Sequence, residues 1–328
     1  MARIISEGVI MYRNIMVPVD GSSFSKEAVF QGLRIASKCG ATLRLVRVSA
    51  PPVFNASPDS FTLESESHRQ ARAAELADLY CIAAECRAHS TVNVTASLQH
   101  GPVLESLISY AHRTRVDLIV MRSHARKGLA RAWFGSIADG LIRKSSIPIL
   151  VVRPPTLAAA TDGSFGFRRV LVPLDGSTLA EESLAAAAAF ARIDRAQLIL
   201  LRIIVPAKLH DEHALWAAHG PAGANDAADA ERYLNSLLAS TADRSMDIRR
   251  RIVISDDVPG AILRVAEGEQ VDMIAIATRG HGAIARAANG SVADRVMREA
   301  QMSAMVLHPS VMIAAEAQLR PSFEGVLI

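Results

Sequence analysis

One stretch of the second half of the chain combines an apolar strand, a glycine-containing loop and the start of a helix. The run Val271 to Ile276 leads through Gly280 to Gly290 and Ser291, where the pattern predicts that a helix begins. Glycines let a ligand approach the backbone closely, and the first N–H groups of a helix, together with its dipole, favour an anion. This order of residue types therefore indicates a phosphate site.

The same residue types occur earlier in the chain at a constant offset. Gly290-Ser291 repeats Gly135-Ser136, which lies 155 residues upstream (290 − 135). The segment VPVDGS at 17–22 returns as VPLDGS at 172–177, again 155 residues later (172 − 17). Separated blocks in one register indicate an internal duplication, and hence two similar domains in tandem.

The strand and helix patterns predict an α/β fold. Apolar strand-length runs alternate with helical patterns in both halves, which favours parallel strands joined by helical crossovers on both faces of a sheet. The predicted organisation is a domain at 1–153, a linker rich in proline and glycine at 154–167, a second domain at 168–309 and a tail at 310–328.

Open sheets of this kind bind ligands at the carboxyl ends of their strands, where the strand order reverses. We therefore expect one cleft in each half, made from the ends of the first and fourth strands. Asp20 and Asp175 end the two first strands, and Met121 and Ile276 end the two fourth strands.

Composition excludes several classes of protein. The 328 residues carry 50% hydrophobic side chains, a net charge of +3 and three cysteines, which argues against disorder, nucleic-acid binding and a disulfide framework. His210, His213 and His219 share one loop without a cysteine or carboxylate cluster, so no metal site is assigned. No signal peptide or run of roughly 20 apolar residues is visible, so we expect a soluble cytoplasmic protein without a membrane partner.

The V-P-x-D-G-S strand end, followed by a loop related to G-x-x-G-x(9)-G-[ST], resembles the universal stress protein family in both halves. The tandem arrangement is similar to its two-domain members. The resemblance implies two Rossmann-like (adenine nucleotide alpha hydrolase-like) domains, each a five-stranded parallel sheet ordered 3-2-1-4-5. It also implies that the domains pair through their last strands, 147–152 and 302–307, as an intrachain pseudo-dimer, and that some members hold ATP in the cleft.

Carried over residue by residue, the resemblance places adenine and ribose beside the first strand end, an apolar contact at the second strand end, and the phosphates at the loop. The implied nucleotide contacts in the second half are Leu174, Asp175, Ile203, Ile276, Ala277, Gly280, Gly290, Ser291 and Val292. Those in the first half are Val19, Asp20, Val48, Met121, Gly135, Ser136 and Ile137.

Both loops depart from the family pattern. Arg122 and Ala125 stand at the two loop-glycine positions of the first half, and Ala277 replaces the first glycine of the second half. A Cβ where backbone must approach phosphate hinders binding. Arg122 either fills its cleft or donates charge to a phosphate. The second half is thus the better nucleotide site.

Simpler roles exist for the same residues. An Asp-Gly-Ser turn uses Asp20 or Asp175 for local backbone bonding, and Ser136 and Ser291 are predicted to cap helices. No catalytic constellation occurs, so we expect a binding protein and not an enzyme. Three functional hypotheses follow: an ATP-binding module, with Mg²⁺ as an accompanying ion; an interaction protein that has lost nucleotide binding; and a slow ATPase. A homodimer and unknown protein partners stay open.

Overall fold

A computed structural model of the chain describes residues 12–22, 24–49, 66–122, 135–153, 166–206, 227–240, 246–278 and 292–307. Its strands are β1 (Asn14–Pro18), β2 (Thr42–Ser49), β3 (Val94–His100), β4 (Leu118–Arg122), β5 (Ile149–Val152), β6 (Arg169–Leu174), β7 (Gln197–Ile204), β8 (Ile248–Ile254), β9 (Met273–Ala277) and β10 (Ser303–Leu307). Its helices are α1 (Ser25–Cys39), α2 (Glu66–Ala88), α3 (Val103–Arg113), α4 (Ser136–Lys144), α5 (Thr178–Asp194), α6 (Ala227–Ser240), α7 (Val258–Gly268) and α8 (Val292–Glu299).

All ten strands form one sheet, in the order β3-β2-β1-β4-β5-β10-β9-β6-β7-β8. Neighbouring strands are parallel within each half. β5 and β10 are antiparallel, with Leu150 opposite Met305, and join the two halves. The α/β class and the pairing of the two halves through their last strands are therefore confirmed.

The strands are the continuous apolar runs that a sheet covered on both faces requires. Every residue of β5 and β10 is buried. A repeated carboxylate fixes the start of the first strand in each half. Asp117 accepts hydrogen bonds from the backbone N–H groups of Arg13 and Asn14, and Asp272 accepts the corresponding pair from residues 168 and 169.

Helices cover both faces of the sheet, as predicted. Residues of α1, α2, α5 and α6 share one hydrophobic core that runs across both halves. On the opposite face, α3 and α4 bury a core of the first half, and α7 and α8 bury a core of the second half. None of the helices within the described ranges is long and apolar enough to cross a membrane.

The two halves also meet through α1 and α5. Asp194, at the end of α5, accepts hydrogen bonds from Arg34 Nη1 at 2.5 Å, Lys38 Nζ at 2.7 Å and the backbone N–H of Phe167 at 2.8 Å. Its side chain is only 1% exposed. Burial alone would raise the pKa of Asp194, but the hydrogen bonds and charges of Arg34 and Lys38 outweigh burial and hold that pKa below its usual value.

Candidate functional site

A cleft of about 510 Å³ opens in the second half, at the carboxyl ends of β6, β7 and β9. The amino-terminal ends of α5, α7 and α8 also contribute to its wall. This volume lies in the range of about 300–1,000 Å³ that is typical of small-molecule sites. We call it the second cleft. Six residues that the sequence analysis assigned to a site line it: Leu174, Asp175, Ile203, Ile276, Ala277 and Val292.

Asp175 follows β6 in a tight turn that leads into α5. Gly176 has a φ of +87°, which side-chain-bearing residues rarely adopt. Asp175 Oδ1 accepts hydrogen bonds from the Ser177 backbone N–H at 2.9 Å and from Ser177 Oγ at 2.6 Å. Ser177 Oγ in turn accepts from the backbone N–H of Ala180 and caps the helix. Asp175 therefore stabilises the local turn, and the same residue also lines the cleft.

Arg202 of β7 also lines the second cleft, and sequence reasoning did not assign it to the site. The residue is 9% exposed. Its Nη1 donates to the Leu174 carbonyl oxygen at 3.2 Å, and its guanidinium lies 5.7 Å from the ring centre of Tyr233. Tyr233 donates its hydroxyl hydrogen to Glu181. Burial, reinforced by the charge of Glu181, raises the pKa of Tyr233 well above its usual value. The signal in the sequence was an arginine inside the apolar run LILLRII.

The first half repeats the backbone of this site. Asp20 Oδ1 accepts from the backbone N–H and the hydroxyl of Ser22, at 2.9 and 2.6 Å, and Gly21 has a φ of +79°. Val19 is buried, and its backbone N–H donates to Val46 at 2.8 Å. Three further assigned residues lie where the sequence analysis expected them, at or next to the ends of strands or at the start of α4: Val48, Met121 and Gly135.

Arg122 distinguishes the first half from the second. Its Nη1 donates to Glu27 Oε1 at 2.5 Å, and its guanidinium lies 4.8 Å from the ring centre of Phe24. The sequence analysis considered two roles for Arg122. The structure shows its guanidinium in contact with Glu27 and Phe24, at the end of β4 beside α1. The corresponding residue of the second half is Ala277, 155 positions later (277 − 122), which leaves that wall open.

Comparison of this chain with sequence profiles of known families identifies its family. A sequence profile described as the Universal stress protein family matches residues 11–153 and, a second time, residues 166–308. The chain belongs to the universal stress protein family. The two matches also confirm the tandem duplication, because their starts are 155 residues apart (166 − 11).

Relatives of this universal stress protein include both one-domain and two-domain proteins. A universal stress protein of Mycobacterium tuberculosis is 24% identical over 326 residues, which cover 89% of this chain and 94% of that protein. One from Methanocaldococcus jannaschii is 29% identical over 154 residues, covering 46% of this chain and 88% of its own length. The crystal structure of a universal stress protein from Archaeoglobus fulgidus has a TM-score of 0.64 at 16% identity, covers 90% of this chain and 96% of its own, and so shows the same fold.

One capping prediction for this universal stress protein is wrong. Gly135 is the N-cap of α4, without a side-chain cap, and Ser136 is the first residue inside the helix. A residue with helical backbone angles does not present its hydroxyl to the orphan N–H groups as an N-cap does. Ile137, the next residue, packs against the core of the first half.

Three assigned residues of this universal stress protein lie outside the described ranges: Gly280, Gly290 and Ser291. Ala125 and the three histidines at 210, 213 and 219, which the sequence analysis considered without assigning them to a site, also lie outside them. Among the residues that are described, no group of three or more histidine, cysteine or acidic side chains is arranged to hold a metal ion.

Proposed function

We propose that this universal stress protein binds an adenine nucleotide in its second cleft, and that it contributes to stress adaptation by changing its contacts with protein partners when the nucleotide binds. The observation that carries the proposal is the convergence of six assigned residues from β6, β7, β9 and α8 on one cleft of suitable size. Residues that are far apart in sequence thus share one wall.

The chemistry of the cleft suits a nucleotide. Leu174, Ile203 and Ile276 provide apolar surface for a base. Asp175 supplies carboxylate oxygens that accept hydrogen bonds from ribose hydroxyls or from a base amine. The amino-terminal end of α8, which begins at Val292, favours negative charge and would face the phosphates. ATP with Mg²⁺ is the species we assign.

The proposal restricts nucleotide binding to the second half. In the first half, Arg122 lies over Phe24 and pairs with Glu27 at the place where Ala277 leaves space in the second half. A nucleotide entering the first half would have to displace this arginine and leave Glu27 without its partner. We therefore expect one nucleotide per chain.

The test measures nucleotide binding by isothermal titration calorimetry, with mass spectrometry of the small molecules released on denaturation. Wild type is expected to bind ATP, and Ala277→Arg, which copies the first half into the second, should weaken binding at least about 100-fold because the guanidinium fills the cleft. Arg122→Ala is the matched control and should leave the affinity of the second cleft unchanged, because Arg122 lies in the first half. Equal binding by wild type and Ala277→Arg would place the nucleotide elsewhere.

ATP hydrolysis is measured separately on the same purified protein. We expect no release of inorganic phosphate from ATP beyond the uncatalysed background, because none of the described residues that line the second cleft is evident as one that would position an attacking water. Phosphate release that disappears in Asp175→Ala would replace the binding proposal with an ATPase. Absence of binding in every variant would favour a pure interaction protein.

A further inference from the structure

The wall of the second cleft contains a buried charge, that of Arg202, which has no counterion among the residues that the structure describes. Arg202 is 9% exposed, and among the described residues its only hydrogen-bond acceptor is the carbonyl oxygen of Leu174. Its Nε is buried and has no partner there. No carboxylate of the described residues forms an ion pair with it. Most donors of this guanidinium are therefore available.

The duplication supplies an internal reference for this arginine. Arg47 occupies the same position in the first half, 155 residues earlier (202 − 47). It pairs with Asp78 at 3.0 Å and with Glu75 at 3.6 Å, both on α2. The corresponding residues of α6 are Tyr233 (233 − 78) and Ala230 (230 − 75), which carry no negative charge. At these positions the second half has the arginine but neither of the two carboxylates.

A buried guanidinium without a carboxylate partner is costly, because its charge is left uncompensated. The ring of Tyr233 offsets part of that cost by its contact with the cation. A planar guanidinium forms its strongest hydrogen bonds with phosphate or carboxylate oxygens. An anionic group in the cleft would supply the negative charge and the acceptor oxygens that Asp78 and Glu75 supply to Arg47 in the first half.

The surroundings of the second cleft also favour an anion. The amino-terminal ends of α5, α7 and α8 contribute to the cleft wall, and a helix dipole favours negative charge at such an end. The Asp257 carboxylate already caps α7, so α5 and α8 contribute most of this effect. The carboxylate that lines the described part of the cleft is that of Asp175, and its Oδ1 is already engaged by Ser177.

We propose that Arg202 is an oxyanion-binding residue of the second cleft, which donates hydrogen bonds to a phosphate or carboxylate group of the bound ligand. The inference deepens the proposed function and rests on it in one respect: for an adenine nucleotide, the oxyanion is a phosphate group. Arg202 is then a determinant of affinity for the phosphorylated form of the ligand, and Arg47 is not.

The experiment compares AMP with adenosine on the full-length chain by isothermal titration calorimetry at fixed ionic strength. In wild type, AMP should bind more tightly than adenosine. Arg202→Gln should weaken AMP binding at least about tenfold, as expected for a lost charge-assisted hydrogen bond, and should leave adenosine binding unchanged. Arg47→Gln is the matched control and should preserve the difference between the two ligands. Arg202→Met serves the same purpose if the glutamine variant does not fold.

The controls separate this inference from the proposed function. If wild type binds neither AMP nor adenosine, the nucleotide proposal fails, and the thermal unfolding midpoint is then measured with sodium pyrophosphate and with sodium citrate. A stabilisation by either anion that is lost in Arg202→Gln and kept in Arg47→Gln supports the oxyanion site, and the effective anion identifies its class. An unchanged preference for AMP in Arg202→Gln, or anion effects identical in all three proteins, would overturn the inference.

Discussion

The two halves of the chain have the same backbone turn but different cleft walls. The aspartate that ends the first strand accepts the same two hydrogen bonds, at 2.9 and 2.6 Å, in both halves. The side chains around it have diverged, from Arg122 to Ala277 and from Asp78 to Tyr233. Duplication has thus preserved the local geometry, and the proposed difference in binding comes from side chains that the turn motif does not include.

The junction of the halves is also asymmetric. Asp194 joins α5 to Arg34 and Lys38 of α1, whereas the corresponding residue of the first half is Cys39 (194 − 155). A two-fold arrangement would have placed the same cluster on both sides of the seam. The single carboxylate of Asp194 therefore forms this contact between the halves, and no equivalent carboxylate stands at residue 39.

The largest effect is expected from Asp194→Asn. The substitution leaves the poorly exposed Arg34 without its counterion and should lower the free energy of unfolding by about 3 kcal/mol, the scale for breaking a buried ion pair. Urea unfolding followed by circular dichroism measures it. Asp139→Asn removes an exposed partner of Arg143 and should change stability by at most about 0.5 kcal/mol. Similar small changes in both variants would show that Asp194 does not join the halves.

Acid should weaken the same junction. The pKa of Asp194 is lower in the folded protein than in the unfolded chain, so its stabilisation is fully present above the unfolded pKa of about 3.9. It is lost as the pH falls below that value toward the folded pKa. Wild type should therefore lose stability relative to Asp194→Asn as the pH falls below about 4. A difference between the two proteins that stays constant as the pH falls below about 4 would contradict the assignment.

The two turn glycines should respond unequally to alanine. Both have positive φ, so each substitution should cost about 1 kcal/mol in backbone strain. A Cβ on Gly21 would lie 3.0 Å from the Arg47 guanidinium, whereas one on Gly176 would lie 3.8 Å from Arg202. We expect Gly21→Ala to be the more destabilising by up to about 1 kcal/mol in urea unfolding. Equal losses would mean that Arg47 moves without cost.

The smallest predicted difference concerns the turn serines. Ser177 accepts a hydrogen bond from Ala180 and caps α5, whereas the N-cap of α1 is Phe24, without a side-chain cap. Ser177→Ala should therefore cost about 1 kcal/mol and Ser22→Ala about half as much, because only the first change removes a helix cap. Thermal unfolding of the two variants tests the order, and the reverse order would rule out the capping explanation.

The repeat offset and the alternation of strands and helices were enough to predict the α/β fold, and the family resemblance assigned six of the residues that line the second cleft. Leu174, Asp175 and Ile276 lie at or next to the ends of strands, and the carboxyl ends of parallel strands share one edge of the sheet, so their proximity follows from the fold.

Other contacts could not be read from the sequence because they depend on distant partners. The sequence left two roles open for Arg122, and the choice depends on Glu27 and Phe24 of α1. Arg202 gains its significance only when α6 places Tyr233 opposite it. The cap prediction for Ser136 failed by one residue, since a pattern does not fix where helical backbone angles begin.

The antiparallel pairing of β5 with β10 has a consequence for synthesis of the chain. β5 ends at Val152 and its partner begins at Ser303, so 150 residues (303 − 152 − 1) lie between them. At about 5–20 residues per second, a ribosome adds them in roughly 8 to 30 s. During that time the first half has already emerged with the fully apolar strand β5 at an open sheet edge. The nascent chain therefore depends on that edge staying protected until its last strand is made.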